Sequence, residues 1–200
     1  ITKEGPADLP GGTIGRRADG TPTGAIFEQA MGIVTRHAQR REVDRVELMR
    51  RTLREVAKNG VTQVGALETP PFIEDVLVAM DERNELTVRV AATITGAGDE
   101  LRDWRPLLDW AREHRAPSPH VRVLGFKGYM DGSLGSRTAW MHEPYEDNHL
   151  AEDKAADNAG YPLAMAGTGE LGELIQVAAD MNLQPAVHAI GDRANHVLMN

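Results

Sequence analysis

An α/β fold, with a parallel sheet covered by helices, follows from two features of this chain. First, apolar runs of strand length alternate with stretches whose apolar residues recur at helical spacing. Second, the four strand-like runs Val61–Leu67, Leu86–Ile94, Val121–Lys127 and Gln184–Ala189 are apolar almost throughout, as strands covered on both faces are. Parallel neighbours need crossovers, and the helical stretches between the runs are long enough to supply them. The same features suit the staves of a barrel and a doubly wound sheet equally. Adjacent parallel strands in sequence order would mark the arc of a barrel.

The first forty residues predict irregular chain, punctuated by Pro6, Gly11, Gly12, Gly20, Pro22 and Gly24. Within them RRADGTPTG joins two short strands, the Asp19-Gly20 pair favouring a tight hairpin. This places a short-strand segment at 1–42 ahead of the alternating domain at 43–200. From Asp44 the pattern turns helical: Val46, Met49, Leu53 and Val56 share a face, Asp44 caps the start, and Gly60 suits a left-handed helix end. Pro71–Asn84 is the next helix, with Ile73, Val76, Leu77 and Met80 on one side. Glu100–His114 follows, carrying Leu101, Trp104, Leu107, Leu108 and Ala111, and its Pro106 is expected only in a first turn. A long polar segment, 128–166, separates the third strand from the helix Thr168–Asn182, where Thr168 is the expected N-cap. Gly191–Met199 begins a last helix.

The 200 residues carry 41% hydrophobic content, a net charge of −8 and no cysteine. A scattered, net acidic charge argues against nucleic acid or an anionic membrane as partner. No apolar run approaches the roughly 20 residues that span a bilayer. The opening ITKEGPADLPGG has neither the basic nor the apolar region of a secretory signal, so the cytoplasm is the expected compartment. Without thiolates, any metal must be held by histidine, carboxylate or a modified side chain.

Of four lysines, Lys3, Lys58 and Lys154 stand in polar surroundings, whereas Lys127 closes the apolar run VRVLGFK. An ammonium there either snorkels to water or loses hydration and becomes a reactive neutral amine. His188 ends the following strand at the equivalent place. In parallel α/β folds the carboxyl ends of strands are where active sites gather. Beyond Lys127 the loop GYMDGSLGSRTA offers Asp131, Ser133, Ser136 and Arg137. Asp131, Ser133 and Arg137 are placed where substrate can reach, or else Asp131 and Arg137 pair to hold the loop. Asp192 and Arg193 cap the following helix. His37, His114, His120, His142 and His149 lack mutual ligand spacing and belong to the surface or to loops, His196 faces solvent, and Trp104, Trp110 and Trp140 pack in core or lid. GYMDGSLG lacks the lysine-serine ending of a phosphate-binding loop.

DGSLGSRTA after a lysine-terminated strand, EPY at Glu143–Tyr145 and HAIGDRAN at His188–Asn195 resemble the amidohydrolase superfamily. The likeness is greatest to its metal-dependent hydrolases related to N-substituted formamide deformylase. GGTIGRRADGTPTGAIFEQA at Gly11–Ala30 is similar to the segment ahead of that family's second barrel strand. The resemblance implies a partial (β/α)8 TIM-type barrel, with strands about two to five in this chain. It implies one or two divalent metals, zinc in first place, held by Lys127 as its carbamate and by His188. A metal-activated water would then attack an amide-like, non-peptide C–N bond of a small molecule.

The family's HxH pair would lie before Ile1, and its sixth-strand histidine and general-base aspartate after Asn200. No catalytic base is therefore assigned within the chain, and the isolated segment is expected to be inactive and to self-associate through open sheet edges. Glu68 is the nearest acidic residue after the second-strand equivalent. A non-catalytic α/β binding domain derived from the same barrel is the competing expectation.

Overall fold

The computed structural model describes residues 1–6, 10–37, 43–96, 98, 100–150 and 155–200. Lys154 lies outside the described residues. The chain divides into two compact units. One comprises Ile1–Gln39, Tyr129–Gly172 and Val187–Asn200, and the other Arg40–Gly128 and Glu173–Ala186.

In the first unit, strands β1 (Gly12–Arg16) and β2 (Pro22–Glu28) pair antiparallel. The predicted turn joins them: Gly20 adopts φ +87°, and Asp19 Oδ1 accepts both the backbone N–H and the hydroxyl of Thr21. Behind the hairpin, Met31–Thr35 forms a short helix, α1, that the glycine- and proline-rich reading of this region does not anticipate. The unit also holds α6 (Ala164–Thr168) and α8 (Asp192–Met199).

The second unit is built from repeated strand-helix alternation. Helix α2 (Arg45–Lys58) starts where Asp44 accepts the Glu47 N–H at 2.9 Å, so the predicted cap forms. Three helices here end alike. Gly60, Asn84 and Asn182 take φ of +70°, +57° and +57°. The residue after each returns its N–H to the last turn: Val61 to Val56, Glu85 to Met80, Leu183 to Ala178. This closure satisfies carbonyls that a helix end leaves open and turns the chain toward the next strand. The second helix is α3 (Pro70–Phe72) and α4 (Ala79–Glu82), with a π-helical turn, Ile73–Val78, between them. Its predicted apolar face is buried: Ile73, Val76, Leu77 and Met80 are all at most 2% exposed.

Helix α5 (Leu101–Glu113) keeps Pro106 in its sixth position, beyond the first turn to which the sequence confines it. A proline there forfeits a backbone bond at a cost of about 3 kcal/mol, offset by burial of Trp104, Leu108 and Ala111. Thr168, expected to cap the last long helix, instead ends α6; Gly169 at φ +87° separates it from α7 (Glu170–Asp180).

Strands β3 (Gln63–Glu68), β4 (Arg89–Ile94), β5 (Val121–Tyr129) and β6 (Gln184–His188) form one sheet in the order β3-β4-β5-β6. The sheet is parallel and its order is the sequence order, as expected. A bulge at Leu124 shifts the register, pairing Ala92 with Val123 but Thr93 with Gly125. The register sorts the faces. Glu68, Ile94 and Phe126 lie in one row, and Phe126 packs edge-on against Trp104 of α5, so this row faces the helices. Leu67, Thr93 and Gly125 form a row on the other face. That face is not covered alike: Leu67 is 50% and Tyr129 41% exposed. Strands expected to be covered on both sides are thus covered unevenly: α2 to α5 pack against one face, while on the other Thr93 and Gly125 are buried and Leu67 is exposed. Burying each large side chain there contributes about 1.5–3 kcal/mol.

Candidate functional site

Lys127 follows Phe126, and strand alternation turns its side chain away from the helix-covered face. It is half-buried, and its Nζ donates to the Gly128 carbonyl at 2.8 Å. Burial holds its ammonium below the ordinary lysine range. The sequence leaves snorkelling and a depressed pKa open; the structure shows the amine partly withdrawn from water.

Glu68 does not share this face. It lines an apolar cleft of about 210 Å³ between α2 and the sheet, with Met49, Leu53, Val56 and Leu77 around it. Burial there raises its carboxyl above the usual range, against the pull of Arg45.

In the other unit the chain beyond β5 is organised around Asp131. This carboxylate is 1% exposed. Its Oδ1 accepts the Ile190 N–H at 3.0 Å, and its Oδ2 accepts those of Trp140 and Gly191 at 2.8 and 2.7 Å. His188 Nε2 lies 2.8 Å from the Gly132 carbonyl oxygen and 3.6 Å from Asp131 Oδ1. A carbonyl only accepts, so Nε2 carries the hydrogen in this contact, the arrangement that in a neutral imidazole puts the lone pair on Nδ1. The His188 ring lies 5.6 Å from that of Tyr129.

Of the three loop residues expected to meet substrate, only Ser133 is exposed. Asp131 is turned inward onto backbone donors. Arg137, at φ +53°, makes a two-pronged ion pair with Asp147 at 3.0 and 2.7 Å. The alternative reading, an Asp131–Arg137 pair, gives way as well, each side chain having found another partner. That pairing required two residues six apart in a loop to face each other, which the left-handed turn at Arg137 redirects.

Sequence reasoning misses Glu28. At the end of β2, with φ +50°, it accepts a hydrogen bond from the fully buried Thr138 hydroxyl at 2.6 Å, and Thr138 Oγ1 in turn accepts the Ser133 N–H at 3.0 Å. Ser136 Oγ joins both Thr138 Oγ1 at 2.6 Å and Ser133 Oγ at 2.8 Å. Gly132 allows this approach, since a β-carbon there would collide with Thr138 Oγ1 and Glu28 Oε1. Nothing local signals a partner 110 positions away.

Asp192, expected as a cap, opens α8. Its Oδ1 accepts the His142 N–H at 2.9 Å, which with the Arg193 N–H holds the carboxyl below its usual range despite some burial. The expected surface positions of His142 and His196 hold, with their rings 5.3 Å apart. Trp104 is core, as expected; Trp140 lies under the Arg193 guanidinium, 4.8 Å from its ring centre.

Donors for a divalent cation are thus present in kind, an imidazole whose Nε2 faces the Gly132 carbonyl and a lysine whose ammonium burial holds below its ordinary range. They are few in number: among the described residues no group of three or more His, Asp or Glu is arranged to hold a metal.

Comparison with known proteins agrees with these features. The sequence profile described as the amidohydrolase family matches residues 1–199. Protein LONG AFTER FAR-RED 3 of Arabidopsis thaliana is 29% identical over 205 residues, covering 96% of this chain and 33% of that protein. YtcJ of Bacillus subtilis (strain 168) is 28% identical over 203 residues, covering 96% of this chain and 34% of its own length. The crystal structure of an uncharacterized metal-dependent hydrolase from Pyrococcus furiosus superposes with a TM-score of 0.64 at 26% identity, over 87% of this chain and 35% of that one. The chain spans about a third of the length of the curated relatives it matches. With the profile matched over nearly every residue, the chain belongs to the amidohydrolase family.

Proposed function

We propose that this chain is part of a metal-dependent hydrolase that cleaves a C–N bond in a small, amide-like, non-peptide molecule. Within the family, the branch related to N-substituted formamide deformylase is the one its motifs favour. The observation that carries the proposal is Lys127: a half-buried lysine with a depressed pKa, two residues before the end of β5 rather than closing it as the sequence suggests, in a chain whose next strand ends in His188. Four parallel strands in sequence order with helices against one face support an arc of a (β/α)8 barrel, whose carboxyl-end rim is where such residues act.

In this proposal Lys127 and His188 contribute metal ligands. A neutral Lys127 amine adds to carbon dioxide with loss of one proton and becomes a carbamate, an anionic oxygen donor in place of a cation. His188, with Nε2–H held by the Gly132 carbonyl, offers Nδ1. A divalent metal, zinc in first place, would supply a Lewis acid for the substrate carbonyl and lower the pKa of a water. In this reading the exposed Ser133 would meet the substrate, while the Arg137–Asp147 ion pair holds that loop in shape.

The test uses the full-length protein. Metal content is measured, and hydrolysis of a panel of small N-acyl and N-formyl compounds is followed before and after chelation, and in Lys127→Ala and His188→Ala. Activity lost on chelation, restored by zinc and absent from both variants is the expected outcome. Hydrolysis that survives both chelation and Lys127→Ala refutes the proposal. A protein that binds such compounds without hydrolysing them favours the binding-domain alternative.

A further inference from the structure

The segment 130–132 grips His188 in two places and the turn after it in a third. Met130 donates its N–H to the His188 carbonyl at 2.8 Å, and Gly132 offers its carbonyl to His188 Nε2, also at 2.8 Å. Between them, Asp131 holds the turn that follows His188 by the N–H groups of Ile190 and Gly191. The same carboxylate binds the Trp140 N–H, tying in the returning loop. The packing around this clamp is close: a β-carbon on Gly191 would lie 2.6 Å from the Trp140 nitrogen and nearer still to its carbonyl.

Three backbone donors converge on one carboxylate, which can only accept. The arrangement therefore fixes where Gly132 and the 189–191 turn lie. His188 Nε2, facing the Gly132 carbonyl and 3.6 Å from Asp131 Oδ1, is favoured only with its hydrogen present. Moving that hydrogen to Nδ1 would set a nitrogen lone pair against two oxygens.

We propose that Asp131 is a positioning residue for His188: by clamping the backbone on both sides of the ring, it keeps the Nε2–H tautomer and leaves Nδ1 as the donor nitrogen. The consequence for metal binding rests on the function proposed above; the tautomer itself does not. The nearly isosteric Asp131→Asn tests it, because an amide brings two hydrogens into a pocket already filled with three N–H donors.

The full-length protein, labelled with ¹⁵N-histidine and stripped of metal, is observed by NMR, and zinc affinity is measured separately by competition with a chelator. The wild type is expected to show His188 as the Nε2–H tautomer. A folded D131N is expected to show a mixture of tautomers and zinc binding weaker by about 10–100-fold, the usual consequence of losing a group that orients a ligand. A wild-type ring protonated on Nδ1 overturns the proposal, as does a folded D131N with an unchanged ring and zinc affinity within about twofold of wild type. If D131N does not fold, Asp131→Glu, which remains acceptor-only, serves instead. An Nε2–H ring there supports the proposal and an Nδ1–H ring overturns it. Absence of zinc binding in a wild type whose tautomer is as expected would sink the metal-dependent function and leave the positioning role standing.

Discussion

Gly125 offers a sharp test of how the sheet is built. It follows the Leu124 bulge in β5, and its backbone lies outside the left-handed region, so space alone decides what alanine does there. A β-carbon at Gly125 would lie 2.6 Å from the backbone nitrogen and carbonyl carbon of Gln184, and closer to its oxygen. Non-bonded carbon atoms rest at about 3.5–4 Å, so the Gln184 backbone must retreat by about 1 Å. Backbone atoms of a paired strand cannot rotate aside as a side chain can. A retreat of that size lengthens neighbouring hydrogen bonds from about 2.9 Å to beyond a bonding distance. Losing two or three of them, at about 1 kcal/mol each, gives a cost of about 3 kcal/mol.

Gly65, in β3 of the same sheet, meets nothing within 4 Å of its added β-carbon. Alanine there should stabilise by about 0.4–1 kcal/mol, through the reduced entropy of the unfolded chain. The two substitutions are thus expected to act with opposite sign. Urea unfolding followed by circular dichroism measures both; with a slope of about 2 kcal/mol per molar, Gly125→Ala lowers the midpoint by about 1.5 M. A Gly125→Ala midpoint equal to or above that of Gly65→Ala would refute the close approach of β6 to β5.

Asp81 is nearly buried. Burial pushes its carboxyl up, but the neighbouring Ser118 hydroxyl and hydrogen bonds from the backbone and ring of His120 bring it below the usual value. A carboxyl lowered in the folded state stabilises above its ordinary pKa and loses that contribution as pH falls through the lowered value. Wild type should therefore lose more melting temperature than Asp81→Asn on acidification below about pH 4, and identical acid limbs would contradict the pairing. Asp44→Ala should cost about 1 kcal/mol by removing the α2 cap, measured as a loss of unfolding free energy. Thr138→Val, which leaves the Ser133 N–H without its acceptor, should destabilise by about 1–3 kcal/mol and speed proteolysis of the 133–147 loop; unchanged proteolysis counts against the Glu28 network. The chain on its own should associate in sedimentation experiments, since Leu67, Leu124 and Tyr129 leave apolar surface exposed on the sheet. Leu67→Ser with Leu124→Ser should weaken that association, and a stable wild-type monomer would refute it.

Short-range chemistry is legible in the amino-acid order itself. The Asp19-Gly20 hairpin turn, the Asp44 cap, the Gly60 end and the Ile73–Met80 face all depend on residues within about one or two helical turns of each other, so spacing alone determines them. The strand order follows too, because helical crossovers constrain parallel neighbours. Lys127 and His188 stand out as polar groups closing apolar runs. Only the tertiary structure decides which side of each strand the helices cover, and which partner each polar group finds. Glu68 and Lys127 both lie near the carboxyl ends of their strands, yet pairing register and the Leu124 bulge turn them to opposite faces. Asp131 and Arg137 suggest each other by proximity along the chain, yet one takes three backbone donors and the other Asp147. Glu28 meets Thr138 across a gap in sequence that no local pattern spans. A buried polar group must be satisfied by whatever donor the packed chain brings within about 3 Å, and that choice is made only when distant segments meet.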